Sequence, residues 1–146
     1  MLSKFNISEI ANKGKAELYG KSVEVNGFSI DTRTLSNGDL YIALKGKNFN
    51  GTDFINEAIT KGANAIVADH YFESKLPLLV VDNTETFLKN LAIMNRLAFE
   101  GPVIGITGSN GKTSSKEIVA SLLSSKKRCH KTIGNKNNQI GLPFSL

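Results

Sequence analysis

Between Pro102 and Ser114 the chain reads Pro-Val-Ile-Gly-Ile-Thr-Gly-Ser-Asn-Gly-Lys-Thr-Ser, and no other stretch limits the fold as tightly. An apolar, β-rich run from Val103 to Thr107 leads into a turn punctuated by Gly108 and Gly111. Lys112 and Thr113 then open a segment with an apolar helical pattern. Strand, glycine turn and helix start, in that order, are what a phosphate-binding loop requires. Unpaired N–H groups at the helix start and the positive end of its dipole favour an anion there. Glycine lets the backbone bend around a phosphate with no Cβ in the way. In such a loop Lys112 supplies charge for the β- and γ-phosphates, and the Thr113 hydroxyl is a magnesium ligand.

The general pattern G-x-x-x-x-G-K-[ST] asks for glycine where this chain has Ile106, and its glycines fall instead at 105, 108 and 111. A glycine-rich turn that merely joins a strand to a helix is the bland alternative. Gly-Lys-Thr between strand and helix patterns argues against it.

A length of 146 residues allows one domain, or one domain and part of another. An apolar share of 40% with 21% charged residues is that of an ordinary globular protein. The net charge of +5 is scattered apart from Lys126-Lys127-Arg128, which suits the cationic C-terminal turn of the helix after the glycine loop. No aromatic-basic interleaving points to nucleic acid. Cys129 is the sole cysteine, which excludes an intrachain disulfide and suggests a reducing compartment. It is expected to be a partly buried structural thiol, since on a strand it and His130 point to opposite faces. No run approaches membrane-spanning length and no signal peptide is apparent, so a cytoplasmic protein is expected.

Taken in order, residues 4–13 suggest a short helix with Phe5, Ile7, Ile10 and Ala11 as its apolar side, ended by Gly14. Residues 18–27 are weakly patterned, with a short strand and a turn at Asn26-Gly27. Phe28-Ser29-Ile30-Asp31 alternates at a period of two, Asn37-Gly38-Asp39 marks a turn, and Leu40 to Leu44 is a buried-strand candidate. After the polar loop 45–51, Thr52 or Asp53 is placed to cap a helix carrying Phe54, Ile55, Ala58 and Ile59, which stops at Gly62. Ala65–Ala68 and Leu78–Val81 are two further apolar runs. Asn83 or Thr84 then caps a longer helix with Phe87, Leu88, Leu91, Ala92, Ala98 and Phe99 near helical spacing. Glu100-Gly101-Pro102 is a natural linker. Beyond it come a strand, the glycine loop, a helix with Ile118, Val119, Leu122 and Leu123 on one face, and a strand near Cys129 to Ile133. That is one βαβ unit, followed by an apolar tail, and a fragment from the N-terminal end of a longer chain is expected.

Thr107-Gly108-Ser109-Asn110-Gly111-Lys112-Thr113 resembles the ATP loop of the Mur ligases and their relatives, the folylpolyglutamate and cyanophycin synthetases. Ser29-Ile30-Asp31-Thr32-Arg33, then Gly38 to Gly46, Asn50 to Phe54 and Gly62 to Val67, resemble the uridine-nucleotide domain of those Mur ligases that add the later stem-peptide residues. The run Thr132 to Pro143, with Asn135, Asn137 and Asn138, looks like a signature of the member that adds a dipeptide. Together the resemblance covers nearly all of residues 28–146.

The resemblance implies an α/β fold. A small N-terminal α/β uridine-nucleotide-binding domain over residues 1–100 would be followed, over 101–146, by the first βαβ unit of a truncated central ATPase domain. It also implies a parent ligase that joins D-Ala-D-Ala to a UDP-MurNAc-tripeptide, converting ATP to ADP and phosphate through an acyl phosphate. Such an enzyme of peptidoglycan synthesis would be monomeric at full length and use Mg2+, with no nucleic-acid or membrane partner. Lys112 and Thr113 would carry the catalytic roles, and Gly108, Ser109, Asn110, Gly111, Lys112, Thr113 and Ser114 would hold the nucleotide. Arg33 with Thr32 would hold the uridine diphosphate, because Arg matches phosphate oxygens bidentately. Lys45 would be a second anchor, and the amides of Asn135, Asn137 and Asn138 beside Thr132 would contact substrate. Arg33 pairing with Asp31 or Asp39, a solvated Lys45 and plain turn chemistry for the asparagines are the structural alternatives. The family's later metal ligands, modified lysine and amino-acid-binding domain would lie beyond Leu146, so the fragment itself is expected to be inactive. A Mur ligase adding the third stem residue, a cyanophycin synthetase and a non-catalytic nucleotide-binding module remain as alternatives.

Overall fold

The structure, a computed structural model, describes residues 5–46 and 49–132. The chain divides into two compact units, Met1–Leu91 and Ala92–Leu146.

The first unit is built on short, strongly apolar strands. β1 (Phe5–Asn6) leads into α1 (Ile7–Gly14), whose cap is Asn6, with Oδ1 accepting from the Ser8 N–H at 3.0 Å. Phe5 therefore belongs to a strand, paired with Val25, and not to the helix that the apolar spacing predicts. α1 ends with Lys15 in the left-handed region at φ 56°. Next come β2 (Glu17–Tyr19), β3 (Glu24–Val25), β4 (Phe28–Ser29) and β5 (Leu40–Ile42). A 3-10 turn (Gly51–Phe54) runs into α2 (Ile55–Thr60), and β6 (Ala65–Ala68), β7 (Leu78–Val80) and α3 (Thr84–Ala98) follow. Asn50 caps the 3-10 turn, its side chain accepting from the Thr52 N–H at 3.3 Å. α2 itself starts behind Phe54 with no side-chain cap, so neither Thr52 nor Asp53 takes the capping role suggested by spacing. Asn83 caps α3 as expected, accepting from the Thr86 N–H at 2.8 Å.

β1 and β3 form an antiparallel pair, and the other five strands form one sheet in the order β2-β7-β6-β5-β4. β4 to β7 are mutually parallel, with β2 antiparallel at the edge. Parallel strands are normally covered on both faces, and the apolar runs of β5 and β6 match that. Alternation puts Tyr41, Ile66 and Ala68 on the side of α2, where Ala58 and Ala63 complete a buried cluster. Leu40, Ile42, Val67 and Leu79, also buried, are left for the other face. α1 and the first half of α3 contribute buried Ile7, Ile10, Phe87 and Leu88, and the Phe87 ring lies so close to Gly14 that a Cβ there would meet it at 2.4 Å. Each such aliphatic or aromatic side chain contributes about 1.5–3 kcal/mol relative to an exposed one. The fold of this unit is therefore carried by its sheet.

The second unit contains the end of α3 and α4 (Lys112–Ser124). Lys126 and Lys127 follow α4 directly, their N–H groups donating to the Leu123 carbonyl. Residues 103–107 and 129–132, expected as strands, pair with nothing in a ladder among the described residues. A strand needs a neighbour for its N–H and C=O groups, and hydrophobicity alone does not supply one. The α4 positions Ile118, Leu122 and Leu123 are exposed, and Ala120 is the buried residue of that helix. Cys129 is exposed rather than partly buried, because its segment is packed into no sheet. Asn135, Asn137 and Asn138 lie outside the described residues.

Candidate functional site

In an open parallel sheet, ligands sit outside the carboxyl ends of the strands. Two of the loops leaving that edge in the first unit carry the residues singled out above. β4 ends in Ser29, buried, whose hydroxyl donates to the Asp31 carbonyl in the following loop at 2.8 Å. A turn closes from the Thr34 N–H to the same carbonyl at 3.0 Å. Within this turn Arg33 pairs with Asp31, which decides between the two partners that the sequence left open. Nε donates to Oδ1 at 2.9 Å and Nη2 to Oδ2 at 2.6 Å, while the Arg33 backbone N–H reaches Oδ1 at 2.9 Å. These bonds hold the Asp31 carboxyl down at about 2, the guanidinium contributing most. They also raise Arg33 further above its ordinary value. The Arg33 side chain remains 84% exposed, so its remaining N–H groups face solvent.

Thr32 is buried beside this ion pair. Its carbonyl accepts from Lys61 Nζ at 2.9 Å, and Lys61 also pairs with Glu57 at 2.8 Å across one turn of α2. Hydrogen bonds from Lys61 and Thr32 lower the Glu57 carboxyl below its ordinary value. Lys61 and Glu57 were not anticipated from the sequence, although their i,i+4 spacing was visible there. They pin the Arg33 turn to α2.

The second loop leaves β5, the neighbour of β4. Lys45, exposed, forms a single antiparallel bridge with Asn50, and the Gly51 N–H donates to the Leu44 carbonyl at 2.8 Å. A Cβ on Gly51 would lie 2.7 Å from backbone atoms of Ala43 and Leu44, so only glycine permits this return. The Tyr41 hydroxyl donates to the Gly51 carbonyl at 3.0 Å from within the core. Burial pushes that phenol up to about 12, with the Asp31 and Glu57 charges adding to it. Thr32, Arg33 and Lys45 thus come to the same edge of the sheet on adjacent strands.

The glycine loop in the second unit has the backbone its sequence demands. Gly108 lies at φ 153° and Gly111, the cap of α4, at φ 76°. Among the described residues nothing stands within 4 Å of a Cβ built on Gly105 or Gly111. The first turn of α4 carries no acidic residue. Lys112 folds back over the loop, Nζ donating to the Gly108 carbonyl at 2.5 Å and lying 3.4 Å from that of Ser109. Ser109, Asn110, Thr113 and Ser114 are exposed around it. An exposed, unacidic helix start with a cation over its glycines fits a polyphosphate. Among the described residues no group of three His, Cys, Asp or Glu side chains is placed to hold a metal. The exposed Thr113 hydroxyl at the helix start is a single oxygen donor, the kind of ligand that a magnesium ion carried mainly by phosphate oxygens would take from a protein.

Comparison with known proteins decides the family. A model described as Mur ligase family, catalytic domain, matches residues 24–98, and one described as Mur ligase middle domain matches residues 106–146. The chain belongs to the Mur ligase family. It is 40% identical over 129 residues to the UDP-N-acetylmuramoyl-tripeptide–D-alanyl-D-alanine ligase of Synechocystis, covering 86% of this chain and 28% of that protein. The ligase of the same name from Escherichia coli is 36% identical over 140 residues, covering 96% of this chain and 31% of the relative. A crystal structure of MurF from Acinetobacter baumannii superposes with a TM-score of 0.86 at 27% identity, over 99% of this chain and 34% of that one. MurF of Thermotoga maritima, solved in complex with ADP, gives 0.67 at 41% identity, over 81% of this chain and 28% of the other. The chain spans about a third of the length of the relatives it matches. The α/β class and the membership expected from the two glycine-flanked motifs both hold.

Proposed function

We propose that this chain carries the uridine-nucleotide site and the ATP loop of a ligase that joins D-Ala-D-Ala to UDP-MurNAc-tripeptide. The observation that carries the reading is a match running through both segments, at 36–40% identity, to relatives bearing that enzyme's name. That name favours the dipeptide-adding member over the alternatives of a third-residue ligase or a non-catalytic module. The domain boundary is placed at 100/101, with residues 1–100 binding the UDP-sugar peptide and 101–146 beginning the ATP-binding domain. The protein works in the cytoplasm on peptidoglycan precursors, and so in cell-wall growth and division. Among the described residues no helix is long and apolar enough to cross a membrane.

ATP with Mg2+ supplies a γ-phosphoryl group that activates the peptide carboxylate. The residues here bind and orient. Glycine N–H groups at 108 and 111, with Ser109, Asn110 and Ser114, donate to phosphate oxygens. Lys112 turns from the loop carbonyls to the phosphates and offsets charge where it grows during transfer. Thr113 presents its hydroxyl to the metal. Arg33, Thr32 and Lys45 hold the diphosphate of the uridine substrate, and Asn135, Asn137 and Asn138 are further substrate contacts. These 146 residues alone are not expected to turn over, since phosphoryl transfer needs charge compensation from groups on several loops.

Titration calorimetry of UDP-MurNAc-tripeptide and of UDP into the 146-residue chain tests the substrate site. Saturable binding is expected, weakened in Arg33→Ala by about 1.5–3 kcal/mol, the usual worth of a hydrogen bond to a charged group. No binding by the wild-type chain, or an unaffected Arg33→Ala, would remove the assignment.

A further inference from the structure

One turn beyond Lys112, α4 carries two charged residues that the ligase reading does not use. Lys116 stands four residues after Lys112, on the same face of the helix. Its Nζ donates to the backbone carbonyl of Thr132 at 2.7 Å, and its side chain is only 19% exposed. The adjacent Glu117 takes Lys131 Nζ on one oxygen, and its other oxygen lies 3.5 Å from Lys116 Nζ. The Glu117 carboxyl sits below its ordinary value, chiefly through the hydrogen bond from Lys131 and then through the two ammonium charges. A largely covered lysine that donates to a main-chain carbonyl sixteen residues away is a fastening. What it fastens matters, because residues 129–132 lie in no strand. In the sequence Thr132 stands directly ahead of the asparagine-rich stretch.

We propose that Lys116 and Glu117 are positioning residues that clamp the backbone at Lys131–Thr132 to α4 one turn from Lys112, so that nucleotide occupancy of the glycine loop is transmitted to the segment entering the asparagine run. The coupling half of this inference rests on the nucleotide reading of the loop, and the clamp itself does not. A helix held rigid by its own hydrogen bonds carries a shift at Lys112 to the next turn. From there the Lys116 ammonium and the Glu117–Lys131 pair pass it to the chain. Neither residue touches phosphate.

Cys129, exposed and the sole cysteine, lies three residues before Thr132 and accepts an environment-sensitive thiol label. Labelled wild-type chain, Lys116→Met, Lys116→Arg and Glu117→Gln would each be titrated with Mg-ATP. Affinity would be measured separately by calorimetry on unlabelled protein, and amide hydrogen exchange followed at residues 130–132. In Lys116→Met, exchange at 130–132 should quicken by about tenfold or more as the clamp opens. The label response to Mg-ATP should disappear while affinity changes by no more than about twofold. Glu117→Gln should give the same direction more weakly. Lys116→Arg should keep both readouts, since a guanidinium still donates to a carbonyl. Wild-type exchange rates in Lys116→Met overturn the clamp, whatever the chain binds. A label response that survives in Lys116→Met, or that is lacking in a wild-type chain that binds Mg-ATP, overturns the coupling. Loss of ATP affinity by about tenfold or more would make Lys116 a direct ligand and overturn its positioning role. A wild-type chain that binds no Mg-ATP would instead overturn the nucleotide reading and with it the coupling, leaving the exchange comparison to decide the clamp.

Discussion

Asp31 sets what Arg33 can do. A free arginine gives up rotamer freedom when it binds a phosphate, whereas this one is already held by both carboxylate oxygens. The cost is partial neutralisation, since an incoming anion meets a guanidinium that has a counter-charge. The pairing also makes the turn sensitive to acid. Asp31 is depressed from 3.8 to about 2 in the folded chain, with the Arg33 hydrogen bonds as the leading cause. A carboxyl depressed on folding adds stability that is fully present above its unfolded value and is lost as pH falls through the folded one. Urea midpoints of wild-type chain should therefore decline between pH 4 and pH 2, and Asp31→Asn should decline less steeply over that window. The pair is open to solvent, so salt should shrink the difference. Parallel curves for the two proteins would mean that the ion pair adds nothing to folding.

At the scale of elements, α3 and α4 show what sequence pattern conveys and what it does not. Both helices are visible as apolar spacing behind a start signal. Asn83 was one of two candidate caps and is the one that bonds, at 2.8 Å from the Thr86 N–H. Asn83→Ala should cost about 1 kcal/mol, read as a lower denaturation midpoint with an unchanged slope. An undiminished midpoint would show that α3 is held by Phe87 and Leu88 alone. Burial is the part that spacing did not convey. Phe87, Leu88 and Leu91 are buried as their pattern suggests, yet Ile118 and Leu122 of α4, equally apolar, are 60% and 69% exposed. Pattern says which face seeks a partner, and only the assembled fold says whether one is there. The same reasoning covers residues 103–107 and 129–132, where a β-rich composition found no ladder among the described residues. β5 to β7 were legible because each is a continuous apolar run between turns. β2 and β3 were legible only as one short strand within residues 18–27, being two or three residues long and set by pairing rather than composition. At the site, the residue types of the Arg33 turn and glycine loop were readable. Lys61, Lys116 and Glu117 were not singled out, because each acts on a backbone or a charge far away in sequence, and Glu57 looked like an ordinary i,i+4 partner of Lys61.

For the whole molecule, the distribution of buried apolar side chains predicts where stability and ligand binding reside. Described residues up to Leu91 include a five-stranded sheet and nearly every buried aliphatic and aromatic side chain. Beyond Leu91 the buried apolar residues are Ala92 and Ala120, again among those described. Two alanines bury little surface, so the described part of this segment gains little from its own packing. Residues 1–98, ending where α3 ends, should consequently fold without the rest. Their melting midpoint should lie within about 4 °C of the 146-residue chain, less than the shift that 1 kcal/mol produces in a domain of this size. Because Thr32, Arg33 and Lys45 all precede the cut, the shorter chain should also keep its affinity for UDP itself to within about twofold. Mg-ATP should bind the 146-residue chain more weakly than UDP does, its loop being anchored by little core, and should not bind residues 1–98 at all. Calorimetry with both nucleotides on both chains, beside thermal melts, measures each of these. If the shorter chain melts lower by ten degrees, or if ATP binds and UDP compounds do not, the division of labour between the two segments is wrong.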